Sequence, residues 1–145
     1  MPPVTVSTEV QRPAEEVYAY VTDPARFAEW QKGVVSGHME GAPAVGARCV
    51  TVRRIGFADR ASTSELIRAD PPRSWSVRGI DGPIRAAVDV TVEPLGPEKS
   101  RVTIAVDFEG RGIGTVLVPL AVRREARKEM PANIAALEQR LETAR

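Results

Sequence analysis

Met130, Ile134, Leu137 and Leu141 recur at spacings of four, three and four, which puts them on one face of an α-helix. They sit in a charged, periodic segment that runs to Arg145 and carries the one long helical pattern in the sequence. Ahead of Gly110 the chain reads mostly as short strands. A sheet with one apolar face must bury that face against something, and this helix is the cover the sequence offers. Between strands and helix lies an apolar run, Ile113 to Val122, bounded by Arg111 and Arg123 and interrupted by Gly114 and Pro119. A bilayer span needs about 20 apolar residues, so this run is too short to be one.

Size and composition exclude several classes. A chain of 145 residues reads as a single domain, residues 1–145, long enough for a substantial core. Its 43% hydrophobic and 27% charged content is ordinary for a soluble globular protein. A net charge of +1 gives no reason to expect nucleic acid or an anionic membrane as partner. One cysteine, Cys49, excludes an internal disulfide framework and fits a reducing cytoplasm. The start, Met1-Pro2-Pro3-Val4-Thr5, carries no basic segment followed by an apolar one, so the sequence is read as cytoplasmic.

In chain order, Val4 to Val10 alternates and predicts a first strand. Pro13, followed by Glu15 and Glu16, opens a short helix. Asp23-Pro24 is the sharpest local signal: Asp caps and Pro follows, so a second short helix runs from Pro24 to about Gln31. Period two then takes over. Strands are predicted over Gly33–Glu40, loosened by Gly33 and Gly37, and over Ala47–Phe57, Ala61–Ala69, Ser74–Ile80, Ile84–Glu93 and Arg101–Glu109. Asp81-Gly82 is a hairpin signal because both residues tolerate positive φ. Successive hairpins give antiparallel neighbours and a sheet with one wet face. The order is a strand, two short helices, a meander of about six strands and a long helix, an α+β chain.

That order resembles the START-like superfamily, also called SRPBCC, and within it the polyketide cyclase/dehydrase group. The resemblance is carried by Arg12-Pro13-Ala14-Glu15-Glu16-Val17-Tyr18, Thr22-Asp23-Pro24 with Trp30, and Val45-Gly46-Ala47-Arg48. Ala69-Asp70-Pro71-Pro72-Arg73, Ser100-Arg101-Val102-Thr103 and the closing Leu137-Glu138-Gln139-Arg140-Leu141-Glu142 complete it. It covers nearly the whole chain. It implies a helix-grip fold: a curved antiparallel sheet of about seven strands wrapped round the C-terminal helix, with an apolar cavity between. It does not fix function, because the fold hosts carriers, receptors, aromatase/cyclases and co-chaperones.

Few residues offer chemistry. His38 is the one histidine and the natural candidate for a general base. A zinc site of two or three histidines is therefore impossible, and no cofactor or metal is expected. Cys49 has no partner pattern for a nucleophile, and the family register makes it a buried wall residue. The glycines at 110, 112 and 114 lack the strand–turn–helix context and the lysine of a phosphate loop. Arg53 and Arg54 are adjacent on a strand and point to opposite faces; by the family register Arg53 points inward. Extrapolated at about 100° per residue, Arg123 and Arg127 fall on the apolar face of the long helix, where they could anchor a carboxylate or enolate. Pro131 removes a hydrogen bond and puts the helix phase before it in question.

The resemblance implies a binder of a small apolar molecule, aromatic and polyketide-like or lipid-like. Expected walls are Trp30, Cys49, Trp75, Val77, Val88, Val90, Val106, Phe108, Met130 and Ile134. Arg53, Arg123, Arg127 and His38 would orient its polar end. The rival is an aromatase/cyclase-like enzyme in which Arg53 stabilises an enolate and His38 or a water moves protons. A third reading is a partner-binding module without a ligand. A homodimer is compatible with all three.

Overall fold

The computed structural model describes residues 3–55, 57–82, 84–110, 112 and 122–143, without the side chains of Ile55 and Ile84. Strand β1 (Val4–Val10) leads into helix α1 (Ala14–Val21). A 3₁₀ turn (Pro24–Arg26) runs into α2 (Phe27–Trp30). Six strands follow: β2 (Val34–Glu40), β3 (Arg48–Ile55), β4 (Ala58–Asp70), β5 (Ser74–Gly79), β6 (Ile84–Gly96) and β7 (Lys99–Gly110). Helix α3 (Arg123–Thr143) closes the chain and continues through Pro131. Of the apolar run that precedes it, residues 113–121 lie outside the described residues.

The seven strands form one curved antiparallel sheet in the order β1-β7-β6-β5-β4-β3-β2. β2 to β7 is the expected meander, each strand paired with the next. β1 closes the far edge on β7, with Val4 opposite Val106 and Val10 opposite Ser100. β1 and β2 are thus opposite edges, and α1 and α2 carry the chain from one to the other. The Asp23 signal works as read: its side chain accepts from the Ala25 amide at 3.0 Å, with Pro24 opening the turn. At Asp81-Gly82 only Gly82 takes positive φ (79°). Asp81 instead accepts the Thr63 amide through Oδ1 at 2.9 Å.

The core lies between the concave face of the sheet and α3. Val10, Val17, Leu66, Val102 and Leu137 are fully buried. α3 packs most closely on β1, with α2 and α1 as further close neighbours. Its apolar stripe, Met130, Ile134, Leu137 and Leu141, is buried as the spacing requires. One end of this contact is clamped by Arg12. Its Nη2 donates to the Glu142 carbonyl at 2.7 Å, in the last turn of α3, where exposed carbonyls favour a cation. The Arg12 carbonyl accepts from the fully buried Ser100 hydroxyl at 2.8 Å. Nearby, the Gln11 amide donates to Glu142 Oε2 at 2.9 Å and Thr8 Oγ1 donates to Glu138 Oε1.

Gly37 corrects the sequence reading. It does not loosen β2. A Cβ there would lie 2.5 Å from the Pro24 carbonyl oxygen, so its absence lets the 3₁₀ turn lie directly on the strand. Gly37→Ala is expected to cost roughly 1–3 kcal/mol by overpacking. Urea unfolding should show a lower midpoint at unchanged slope; an unchanged midpoint would mean the turn is free to lift.

Candidate functional site

Directly opposed residues of an antiparallel pair share a face, so the register sorts every strand. Val90 and Val92 on β6, Val102 and Ile104 on β7 and Trp75 on β5 are buried beneath the helices. Along the same strands toward the other end, Ala86, Val88, Val106 and Phe108 keep to the same face but are only partly buried. The concave face is therefore tightly filled near the Arg12 clamp and less covered at the opposite end.

At that less covered end the face becomes polar. On β3 it presents Cys49, Thr51 and Arg53. Their register partners on β4 are Ser64, Ser62 and Arg60. The Thr51 and Ser62 hydroxyls are 3.2 Å apart and hydrogen-bonded. Arg53 Nη2 donates to the neutral Gln31 Oε1 at 3.1 Å, at the end of α2. No carboxylate among the described residues forms an ion pair with Arg53. Burial lowers its pKa, with Glu129 of α3 acting in the other direction. The side chain nevertheless keeps solvent contact. Arg53 is exposed overall, so its guanidinium stands on an open stretch of the concave surface. Burial and the neighbouring Glu125 raise the Glu129 carboxyl above its ordinary range, while Lys32 and Arg53 pull it down.

The aromatic wall is one group. Phe27 meets Trp30 edge-on at 5.9 Å between centroids and Trp75 at 6.3 Å. Such edge contacts are a favoured geometry. Trp30 is buried, and its indole Nε1–H has no hydrogen-bond partner among the described residues. Of the other expected wall residues, Val77, Met130 and Ile134 are also buried in this core.

Three expectations need correction. His38 pairs with Val50, not with a concave-face residue; Met39, its neighbour, pairs with Cys49 and packs on the core. His38 is therefore exposed on the outer face and is not among the residues that converge. Arg123 is buried, but its Nη2 donates to Asp107 Oδ1, which also accepts the Phe108 amide. It ties the start of α3 to the end of β7. Arg127 is exposed: the buried side of this helix half runs through Arg123, Ala126 and Met130, and a long cation at its border stays in water. The polar concave residues Thr51, Ser62 and Ser64 were missed, along with Gln31 and Glu129. Ser62 and Ser64 could have been placed by counting back in twos from Leu66, which is fully buried.

The sequence matches, over residues 1–142, the family described as polyketide cyclase / dehydrase and lipid transport. This chain belongs to that family. Among solved structures, a START superfamily protein from Mycobacterium smegmatis superposes with a TM-score of 0.79 at 16% identity, covering 100% of both chains. A Thermus thermophilus protein gives 0.78 at 20% identity, covering 99% of both. The Zhui aromatase/cyclase of a Streptomyces species gives 0.72 at 17%, covering 97% of this chain and 96% of its own. At such identities the likeness is one of fold. No curated protein matches the sequence. No helix among the described residues is long and apolar enough to cross a membrane.

Two measurements check these placements. Burial pushes the Cys49 thiol up to about 11 from 9.0, the nearby Arg53 only partly offsetting it. Carboxymethylation at pH 8 should then be about a hundredfold slower in the folded than in the urea-unfolded chain; equal rates would place Cys49 in open solvent. Arg123→Ala should lower the unfolding free energy by about 1–3 kcal/mol, whereas Arg127→Ala should stay within about 0.5 kcal/mol. The reverse order would show that Arg127, not Arg123, holds the helix.

Proposed function

We propose that this chain binds a small, largely apolar molecule on the concave face of the sheet, beside α3, and holds an acidic or carbonyl oxygen of that molecule at Arg53. The observation that carries the reading is Arg53 itself: an accessible guanidinium on the concave face, bonded to a neutral glutamine and without an ion-pair partner among the described residues. A guanidinium bonded to a neutral amide leaves donors for a carboxylate or sulfonate, which it holds by charge-assisted hydrogen bonds. The half-covered Val88, Val106 and Phe108 supply apolar area on the same face, with Thr51, Ser62 and Ser64 as neutral polar contacts. Many apolar contacts with a few fixed polar groups is the usual make-up of a ligand site. Membership of a family described as polyketide cyclase / dehydrase and lipid transport agrees with an apolar ligand.

A catalytic reading of the same site is favoured by Glu129. Its carboxyl is held above the ordinary range and lies within electrostatic reach of Arg53. A carbonyl polarised at Arg53 would have its neighbouring carbon acidified, and a carboxylate whose pKa is raised is a stronger proton acceptor. In a cyclase-type condensation Glu129 would take the place first expected of His38.

The test uses two fluorescent probes of similar size, anilinonaphthalene sulfonate, which is anionic, and phenylnaphthylamine, which is neutral. Both should bind the wild-type chain. Arg53→Met should weaken the sulfonate roughly tenfold, the size of one charged hydrogen bond, and leave the neutral probe and the melting temperature nearly unchanged. Equal loss of both probes, or binding of neither, would count against the reading.

A further inference from the structure

The β3–β4 hairpin turns earlier than the sequence suggested, β3 ending at Ile55 and β4 starting at Ala58, and it projects. β2 begins at Val34, opposite Arg53, and beyond the Arg54 amide, which donates to the Gly33 carbonyl at 2.8 Å, β3 has left its β2 neighbour. On the other side β5 ends at Gly79, opposite Ser64, with one more bond from the Ile80 amide to the Thr63 carbonyl. Residues Ala58 to Ser62 therefore pair with β3 alone. A two-stranded ribbon stands out from the end of the sheet where the concave face is least covered.

Phe57, at the tip of this ribbon, is wholly exposed, the most exposed of the large apolar residues described. Three arginines flank it, Arg53, Arg54 and Arg60, against one acid, Asp59. Asp59 is taken by Arg54 on the outer face at 2.9 Å. Arg53 and Arg60 stand directly opposite each other on the concave side, and like charges so placed repel. Arg60 has no ion-pair partner among the described residues. A net charge of +1 for the chain thus conceals a local excess of two positive charges within residues 53–60.

We propose that this ribbon tip docks the protein on an anionic lipid bilayer, Phe57 entering the headgroup layer and Arg54 and Arg60 meeting lipid phosphates. A protruding aromatic side chain ringed by cations fits such an interface: the ring takes the apolar boundary and the arginines take the anionic surface. A narrow ribbon offers a folded protein partner little of the roughly 800 Å² per side that a stable complex buries, whereas a bilayer requires only insertion. The less covered end of the concave face would then lie toward the lipid, a direct path for an apolar ligand. The docking itself stands without the ligand reading.

Flotation of the full chain with vesicles tests it, using phosphatidylcholine alone and phosphatidylcholine with roughly 30 mol% phosphatidylglycerol. Binding is expected to the anionic vesicles only and to fall as salt rises from about 0.1 to about 1 M. Phe57→Ser and Arg60→Glu should each weaken it by about tenfold or more. Phe57→Trp should retain it and shift its emission to the blue with vesicles present. Phe57→Ser should keep the wild-type urea midpoint and bind phenylnaphthylamine normally without vesicles, which separates docking from ligand binding. No flotation of the wild type, equal flotation with neutral lipid, or full flotation of Phe57→Ser would overturn the proposal. So would a Phe57-dependent dimer in sedimentation that floats no better than Phe57→Ser.

Discussion

The buried Arg12 guanidinium joins three parts of the chain that are remote in sequence. It lies at the corner where β1 turns into α1, reaches the last turn of α3, and leaves its own carbonyl to the buried Ser100 of β7. Each of these bonds satisfies a backbone group that burial would otherwise orphan, at about 1–3 kcal/mol apiece. With that corner fixed, α3 lies along β1, its stripe from Met130 to Leu141 fills the concave side, and the aromatic group of Phe27, Trp30 and Trp75 closes over the middle of the sheet.

The two ends of the molecule consequently differ. At the clamped end, the concave face consists of residues with almost no solvent contact. At the other, apolar side chains are half covered, a serine–threonine pair bonds across β3 and β4, and charged groups from α3 and β3 interact at a distance. Few close apolar contacts and many polar ones are the physical marks of low local stability. A rigid end that orders the helix and a softer end that can admit a molecule is a division of labour this arrangement permits.

Most of the fold was legible because it rests on short-range rules. The alternation along Arg101–Glu109, the Asp23-Pro24 cap and the four-three-four stripe of α3 each depend on neighbours within a turn or a strand. The site was less legible because it depends on register and on distant partners. His38 and Met39 exchange faces with a shift of one residue, and a β-bulge between Val34 and Ser36 intervenes upstream of both. Arg123 was correctly placed on the buried side of its helix, yet only the end of β7 reveals that Asp107 awaits it there. Ser62 and Ser64 carry no signal of their own, because a serine sits as readily on either face of a strand, and only their phase with buried Leu66 assigns them. Gly37 looked like a weakness because the Pro24 carbonyl above it belongs to another element.

The pairing of β1 with β7 has a consequence for the order of events in the cell. Val4 must find Val106, and Arg12 must find Ser100 and Glu142, across separations of up to 130 residues. Contacts of that span are slow to form. As the chain leaves the ribosome, β1 emerges first and finds its partner strand only near the end of synthesis. The meander β2 to β7 can pair hairpin by hairpin in the meantime, with the edge of β7 open until β1 returns to it. An open edge invites foreign strands, and the threonine, serine and glutamate that alternate with valine along β1 keep the waiting segment hydrated until its place is ready.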